Sequence, residues 1–141
     1  MLTRLAIRNP GTRSRFKMSA GLIYRRQLVA TGVNSYKSHP LMCSPGYKNG
    51  QIFMHAEVDC IRNSLKLIEE KDLSQASLFI VRVKRNRSTG KWQYGMAKPC
   101  QGCARMIASF DIESVWWTKD EPFSNEFADL EIQDTYATNK V

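Results

Sequence analysis

The sequence predicts an α/β fold in which helices cover a mixed sheet. Three observations predict it. Two short apolar runs early in the chain are separated by two residues, as in a β-hairpin. Two later segments carry helical spacing, and each is followed by an apolar run rich in β-branched or aromatic residues. A strand reached through a helix lies parallel to a neighbour, because only a crossover of that length returns the chain in the same direction. The order along the chain is β-β-α-β-(β)-α-β-β.

The first eight residues, Met1 to Arg8, read weakly as a helix, and Asn9-Pro10-Gly11 breaks it. Lys17–Tyr24 and Gln27–Val33 are the hairpin strands, joined at Arg25-Arg26. From Asn34 to Gly50 the chain mixes Ser, Lys, Pro, Gly and Asn without a period, which is a loop of the length that often carries function. Between His55 and Glu70, Val58, Ile61, Leu65 and Ile68 recur at spacings of three and four, one buried stripe of a helix. Leu73-Ser74-Gln75 separates it from Ala76–Val83, whose continuous apolar character suits a central strand. Ser88-Thr89-Gly90 is a turn within the basic stretch Arg82–Lys91, and Trp92–Ala97 is either a short strand or an extended approach to the next element. A second helix begins at Pro99-Cys100, with Met106 and Ile107 facing inward and Asp111 near its end. Ser114–Thr118 is a strand, Asp120-Glu121-Pro122 a loop, and Phe127–Ile132 a last strand. That strand is expected antiparallel, since the 23 residues after Thr118 leave little room for a further helix and crossover. The final residues look frayed.

A chain of 141 residues suffices for one compact domain, here taken as residues 1–141. With 43% apolar and 24% charged residues it resembles neither a disordered nor a fibrous protein. No apolar run approaches membrane-spanning length and no secretory signal opens the chain, so a cytoplasmic protein without membrane partners is expected. In that compartment Cys43, Cys60, Cys100 and Cys103 suit metal binding or burial better than disulfides. The net charge of +8 is unevenly placed. The first 56 residues hold nine Lys or Arg and no acid, whereas residues 92–141 hold four basic and eight acidic side chains. Such a field fits a solvated surface equally with attraction of a nucleotide phosphate or polyanion.

The strongest signal has two halves. Met54-His55-Ala56-Glu57 opens the first strong helix, and Lys98-Pro99-Cys100-Gln101-Gly102-Cys103 opens the second. A Cys-x-x-Cys turn brings two thiolates to one point, and a helix N-terminus stabilises their charge. Two sulfurs and one imidazole give three protein ligands for zinc, and a catalytic zinc site leaves its fourth position to water. Glu57 lies close enough to carry protons without ligating. Backbone N–H groups at Ala56 and Cys100 are polar contacts available near that centre.

Paired in this way, the two halves are a known signature of zinc-dependent nucleobase deaminases, and the chain resembles the cytidine and deoxycytidylate deaminase superfamily. The likeness runs over most of the chain: hairpin, Gly32-Val33-Asn34 strand end, both motif helices, the strand between them and an aromatic strand after them. It implies a three-layer α/β/α fold with a five-stranded mixed sheet. It also implies a Zn2+ cofactor on His55, Cys100 and Cys103, and Glu57 as the catalytic acid and base. Substrate contacts are expected from Asn34, Ala56, His39 and Trp117. The implied reaction converts a cytosine nucleoside or nucleotide to the uracil form with release of ammonia. Family members are commonly oligomeric, so a homo-oligomer is expected. Asp59 departs from the residue many members carry at its position.

Other readings remain open at this stage. A redox dithiol leaves His55 and Glu57 unexplained. A structural zinc site needs a fourth ligand, for which Cys43, Cys60 or His39 are available. Cys60, five residues beyond His55, is turned off that face of the helix and is expected to be buried. Trp116 and Trp117 point to opposite sheet faces, one into the core and one free to stack on a base. Arg82, Lys84, Arg85, Arg87 and Lys91 form a charged loop or a phosphate-tracking patch. The patch would serve a deaminase acting on tRNA or single-stranded DNA. A non-catalytic zinc-stabilised nucleic-acid-binding module is the remaining alternative.

Overall fold

The structure, a computed structural model, describes residues 1–9, 16–35, 54–122 and 134–136. Helix α1 (Leu2–Ile7) precedes the hairpin strands β1 (Phe16–Tyr24) and β2 (Gln27–Val33). Arg25 and Arg26 turn the chain with φ of 51° and 63°. Two successive positive φ values make the turn whose twist matches a hairpin, at a steric cost of about 1 kcal/mol per non-glycine residue. The Arg25 guanidinium, 5.1 Å from the Tyr24 ring centroid, offsets part of this.

Helix α2 spans Ala56–Ser64, shorter than the helix to Glu70 that the periodicity predicts. Ser64 Oγ bonds back to the Cys60 carbonyl, and the chain then tightens into three-residue turns from Lys66 to Asn63 and from Leu67 to Ser64. A 3-10 segment, Glu70–Gln75, follows, opened by a reciprocal Glu69–Asp72 cap and anchored by buried Leu73. Leu65 and Ile68 still pack on the core, but from this turn, so their spacing reflects a fold-back rather than continued helix.

Strand β3 (Ser77–Arg85) is central. One edge pairs antiparallel with β1, and β1 with β2. Along the other edge, residues 77–80 pair in parallel with β5 (Ser114–Trp117), while residues 82–85 pair antiparallel with β4 (Trp92–Gly95). Helix α3 (Gln101–Ser109) supplies the crossover to the parallel strand. β7 (Asp134–Tyr136) lies antiparallel to β5. The expected five-stranded mixed sheet is the path β2-β1-β3-β5-β7. Two short strands extend it, β4 and, beyond it, β6 (Glu121–Pro122), which corrects the loop expected at Asp120-Glu121-Pro122. Proline is tolerated there because a sheet edge need not donate. The last strand expected at Phe127–Ile132, the fraying expected of the final residues and most of the loop expected from Asn34 to Gly50 lie outside the described residues.

Alternation along β3 divides the core. Leu78 and Ile80 face the main cluster, with Ala56, Val58 and Ile61 of α2 and Cys103, Met106 and Ile107 of α3. Val81 and Val83 face the other side, where Ala6, Leu2 and Ile7 of α1 cover them with Tyr94. The result is three layers, with both motif helices on one face of the sheet. Among the described residues, no helix is long and apolar enough to cross a membrane.

Candidate metal centre and active site

Each half of the sequence motif sits at a helix start. His55 is the extended N-cap of α2, with φ −77° and ψ 147°. Cys100 is the N-cap of α3, where its Sγ accepts the Cys103 N–H at 3.5 Å. Met54, just before His55, bridges to Ser35, so the end of β2 and the start of α2 are tied together.

The two helix starts converge. His55 Nδ1 lies 3.3 Å from Cys103 Sγ and 3.5 Å from Cys100 Sγ, and the three donor atoms lie within 4.8 Å of one another. Zinc bonds of about 2.3 Å to sulfur and about 2.0 Å to nitrogen, at tetrahedral angles, separate N from S by about 3.5 Å. The donor set therefore fits that ion in type and spacing. The Cys100 thiol is brought down to about 4, chiefly by its hydrogen bond with Cys103 and also by His55, against its partial burial. Burial works to lower the basicity of His55, but its bond to Cys100 and the charges of Glu57 and Cys100 outweigh this and raise it.

Glu57 is 2% exposed in the first turn of α2. Among the described residues its buried Oε1 has no hydrogen-bond partner, and burial pushes its carboxyl above the ordinary range, against the pull of His55. A buried carboxylate oxygen with nothing to accept from is costly unless a ligand or water completes it.

The end of β2 is fixed to α2 by three contacts. A Cβ on Gly32 would sit 2.2 Å from the Cys60 backbone nitrogen, so only glycine permits this approach. Asp59 Oδ2 accepts the Val33 N–H at 3.0 Å, and Asn63 Nδ2 donates to the Thr31 carbonyl at 2.9 Å. Asn34 follows directly, its Oδ1 accepting from Met18 N–H and from Asn9 Nδ2, both at 2.9 Å. On the other side, Thr118 Oγ1 accepts the Arg82 N–H and donates to the Gly95 carbonyl, and the Thr118 carbonyl accepts from Ala97 N–H. This joins β3, β4 and the end of β5 beneath the segment leading to Cys100.

Of the expected site residues, the fold brings His55, Cys100, Cys103, Ala56 and Glu57 together and sets Asn34 one residue from each tie to α2 and Met54. Ala56 is fully buried as the first residue of α2. Trp117 is the core member of the tryptophan pair, 5% exposed in the main cluster on the sheet face that carries both motif helices. Trp116 stacks on Phe79, with centroids 6.2 Å apart. Cys60 is buried, with Sγ 3.6 Å from the Ala30 carbonyl, and outside the donor cluster. His39 and Cys43 lie outside the described residues. Sequence reasoning passed over Asn9, seen only as a helix breaker, and Thr118, seen only as a strand end.

The family described as cytidine and deoxycytidylate deaminase zinc-binding region matches residues 1–119. The chain belongs to this family. No curated protein matches the sequence. Among solved structures, the dCMP deaminase of cyanophage S-TIM5 in complex with dCMP and dUMP is similar at 19% identity, covering 82% of this chain and 74% of that one, with a TM-score of 0.51. The apo form of the phage enzyme is matched at 19% identity over 72% of this chain, with a TM-score of 0.46, and the chain spans 65% of its length. The likeness to the complex shows the shared fold.

Proposed function

We propose that the protein is a zinc-dependent hydrolytic deaminase of a cytosine nucleoside or nucleotide, with deoxycytidylate as its leading substrate. The observation that carries this reading is the Oε1 of Glu57, buried beside three converging metal donors and without a partner among the described residues. The choice of a nucleotide is supported by the structural neighbour, whose complex holds dCMP and dUMP.

In this reading His55, Cys100 and Cys103 hold the ion. Zinc, when bound, acidifies a water toward a pKa of about 7 and so supplies the nucleophile. Glu57 Oε1 takes the proton from that water and delivers it to N3 of the base as the oxygen adds to C4. The second proton of the water then passes through the same carboxylate to the amino group. The C4–N bond breaks, ammonia leaves and the uracil form remains. A carboxyl raised by burial suits both halves of this relay, because it gives up and accepts a proton nearer neutrality. Asn34 and the Ala56 N–H are the substrate contacts in this reading.

A nucleic-acid substrate draws support from the basic first third of the chain. It is weakened at β3, where Arg82 donates to the Met96 carbonyl and Lys84 pairs with Asp120 at 2.6 Å, leaving fewer cations for a backbone. The test is ammonia release from cytidine, deoxycytidine, their monophosphates and cytosine-containing oligonucleotides at low and high salt. Turnover of monomers with little salt dependence is expected. Activity confined to oligonucleotides and suppressed by salt would replace the metabolic reading. Glu57→Gln should retain zinc and fold while losing about 10²- to 10⁴-fold in kcat, and unchanged turnover would refute the relay. No turnover of any cytosine substrate by the zinc-loaded wild type would leave the non-catalytic module.

A further inference from the structure

We infer that Asn9 is a positioning residue for the reaction: it fixes the orientation of the Asn34 carboxamide and so links α1, on the far side of the sheet, to the substrate site. The inference rests on the reading that Asn34 contacts the substrate. Asn9 is 1% exposed, just beyond the end of α1. Its Nδ2 donates twice to Asn34, to the backbone carbonyl at 2.7 Å and to Oδ1 at 2.9 Å. The Met18 N–H donates to the same Oδ1 at 2.9 Å.

A backbone N–H can only donate, so its partner on Asn34 must be the amide oxygen, and the flip of the side chain is determined. With both donors on Oδ1, the orientation of the Asn34 carboxamide is fixed. Asn9 is itself held. Lys17 Nζ donates to the Asn9 carbonyl at 3.1 Å and to the Ile7 carbonyl at 3.4 Å, and the Asn9 N–H bonds to the Ala6 carbonyl. A cation at the end of α1 also suits the negative end of its dipole. Asn34 sits between Val33, bound to Asp59 of α2, and Ser35, paired with Met54 beside His55. A rotation of its amide is thus a change within the site, not at a remote surface.

The experiment is a double-mutant cycle on deoxycytidylate turnover with Asn9→Ala, Asn34→Ala and the pair, and with Asn9→Asp as the isosteric variant that cannot donate. Zinc content and Tm are measured alongside. Asn9→Ala and Asn9→Asp should each lower kcat/KM on the order of 10- to 100-fold, through KM more than kcat, with zinc content kept. In the Asn34→Ala background Asn9→Ala should add nothing, because its effect passes through the missing amide. Persistence of the full Asn9 effect in that background, full activity in Asn9→Asp, or losses that merely follow Tm or zinc content would overturn the inference.

A second readout needs no turnover. The Asn34 side-chain amide signals in a 15N–1H spectrum should shift in Asn9→Asp, and an unmoved pair of signals would contradict the orientation. A wild type that releases no ammonia from any cytosine substrate defeats the deaminase reading, and with it the catalytic role of Asn9. The amide signals then decide the orientation separately.

Discussion

Gly32 and Cys60 touch through their backbones: a side-chain carbon at Gly32 would fall 2.2 Å from the Cys60 nitrogen and 2.6 Å from the Ala56 carbonyl oxygen. Neither neighbour is a flexible side chain, so the clash is relieved only by lifting β2 from the first turn of α2. Gly32→Ala should cost about 3 kcal/mol. Because that turn carries His55 and Glu57, zinc affinity should fall as well. Thermal melting with and without added zinc checks both effects.

Asp59 secures the same junction by hydrogen bonding. Its carboxylate takes the Val33 N–H on one oxygen and Arg62 on the other, at 2.6 Å. Asp59→Ala leaves a strand-end N–H without a protein acceptor and should destabilise by about 1–3 kcal/mol. Arg62→Ala removes an ion pair whose guanidinium remains about a third exposed, and should cost less than about 1 kcal/mol. Chemical denaturation of the two variants gives the comparison. A larger loss in Arg62→Ala would mean that the pair, not the Val33 contact, holds the junction.

Thr118 is the corresponding anchor for the cysteine half. It is fully buried, and its hydroxyl serves one backbone donor and one backbone acceptor on different strands. Thr118→Val keeps the shape and strands both partners, so a loss of about 1–3 kcal/mol is expected by denaturation. Thr118→Ser, which keeps the hydroxyl, should recover most of it.

Cys60 is predicted to stand apart from the metal. Its thiol is pushed up to about 12 by burial, and a thiol held protonated does not react. In the folded protein Cys60 should resist alkylation by iodoacetamide until denaturant is added, read by mass spectrometry of its peptide. Cys60→Ala should keep one zinc per chain, whereas Cys103→Ser should lose most of it. Zinc lost from Cys60→Ala would point to a closed structural tetrad.

Local chemistry made much of this fold legible. The hairpin follows from two apolar runs and a two-residue gap, although Arg25-Arg26 lacks the glycine such turns favour. Helix starts were visible because His55-Ala56-Glu57 and Pro99-Cys100 sit where the apolar period begins. The metal donors were visible because their chemistry is unusual and their spacing short. The hidden parts depend on long-range contacts. Leu65 and Ile68 kept a helical spacing inside a fold-back, and Glu121-Pro122 becomes a strand only because β4 offers an edge. Asn9 reaches Asn34 across 25 positions and Asp59 reaches Val33 across 26, distances over which periodicity carries no signal.

The most direct measurement is X-ray absorption at the zinc edge of the loaded protein, with and without deoxyuridylate. Two sulfur scatterers near about 2.3 Å and one nitrogen plus one exchangeable oxygen near about 2.0 Å are predicted, the oxygen shell alone changing with ligand. A shell of four amino-acid donors, or a protein that takes up no zinc, would contradict an open metal centre served by Glu57.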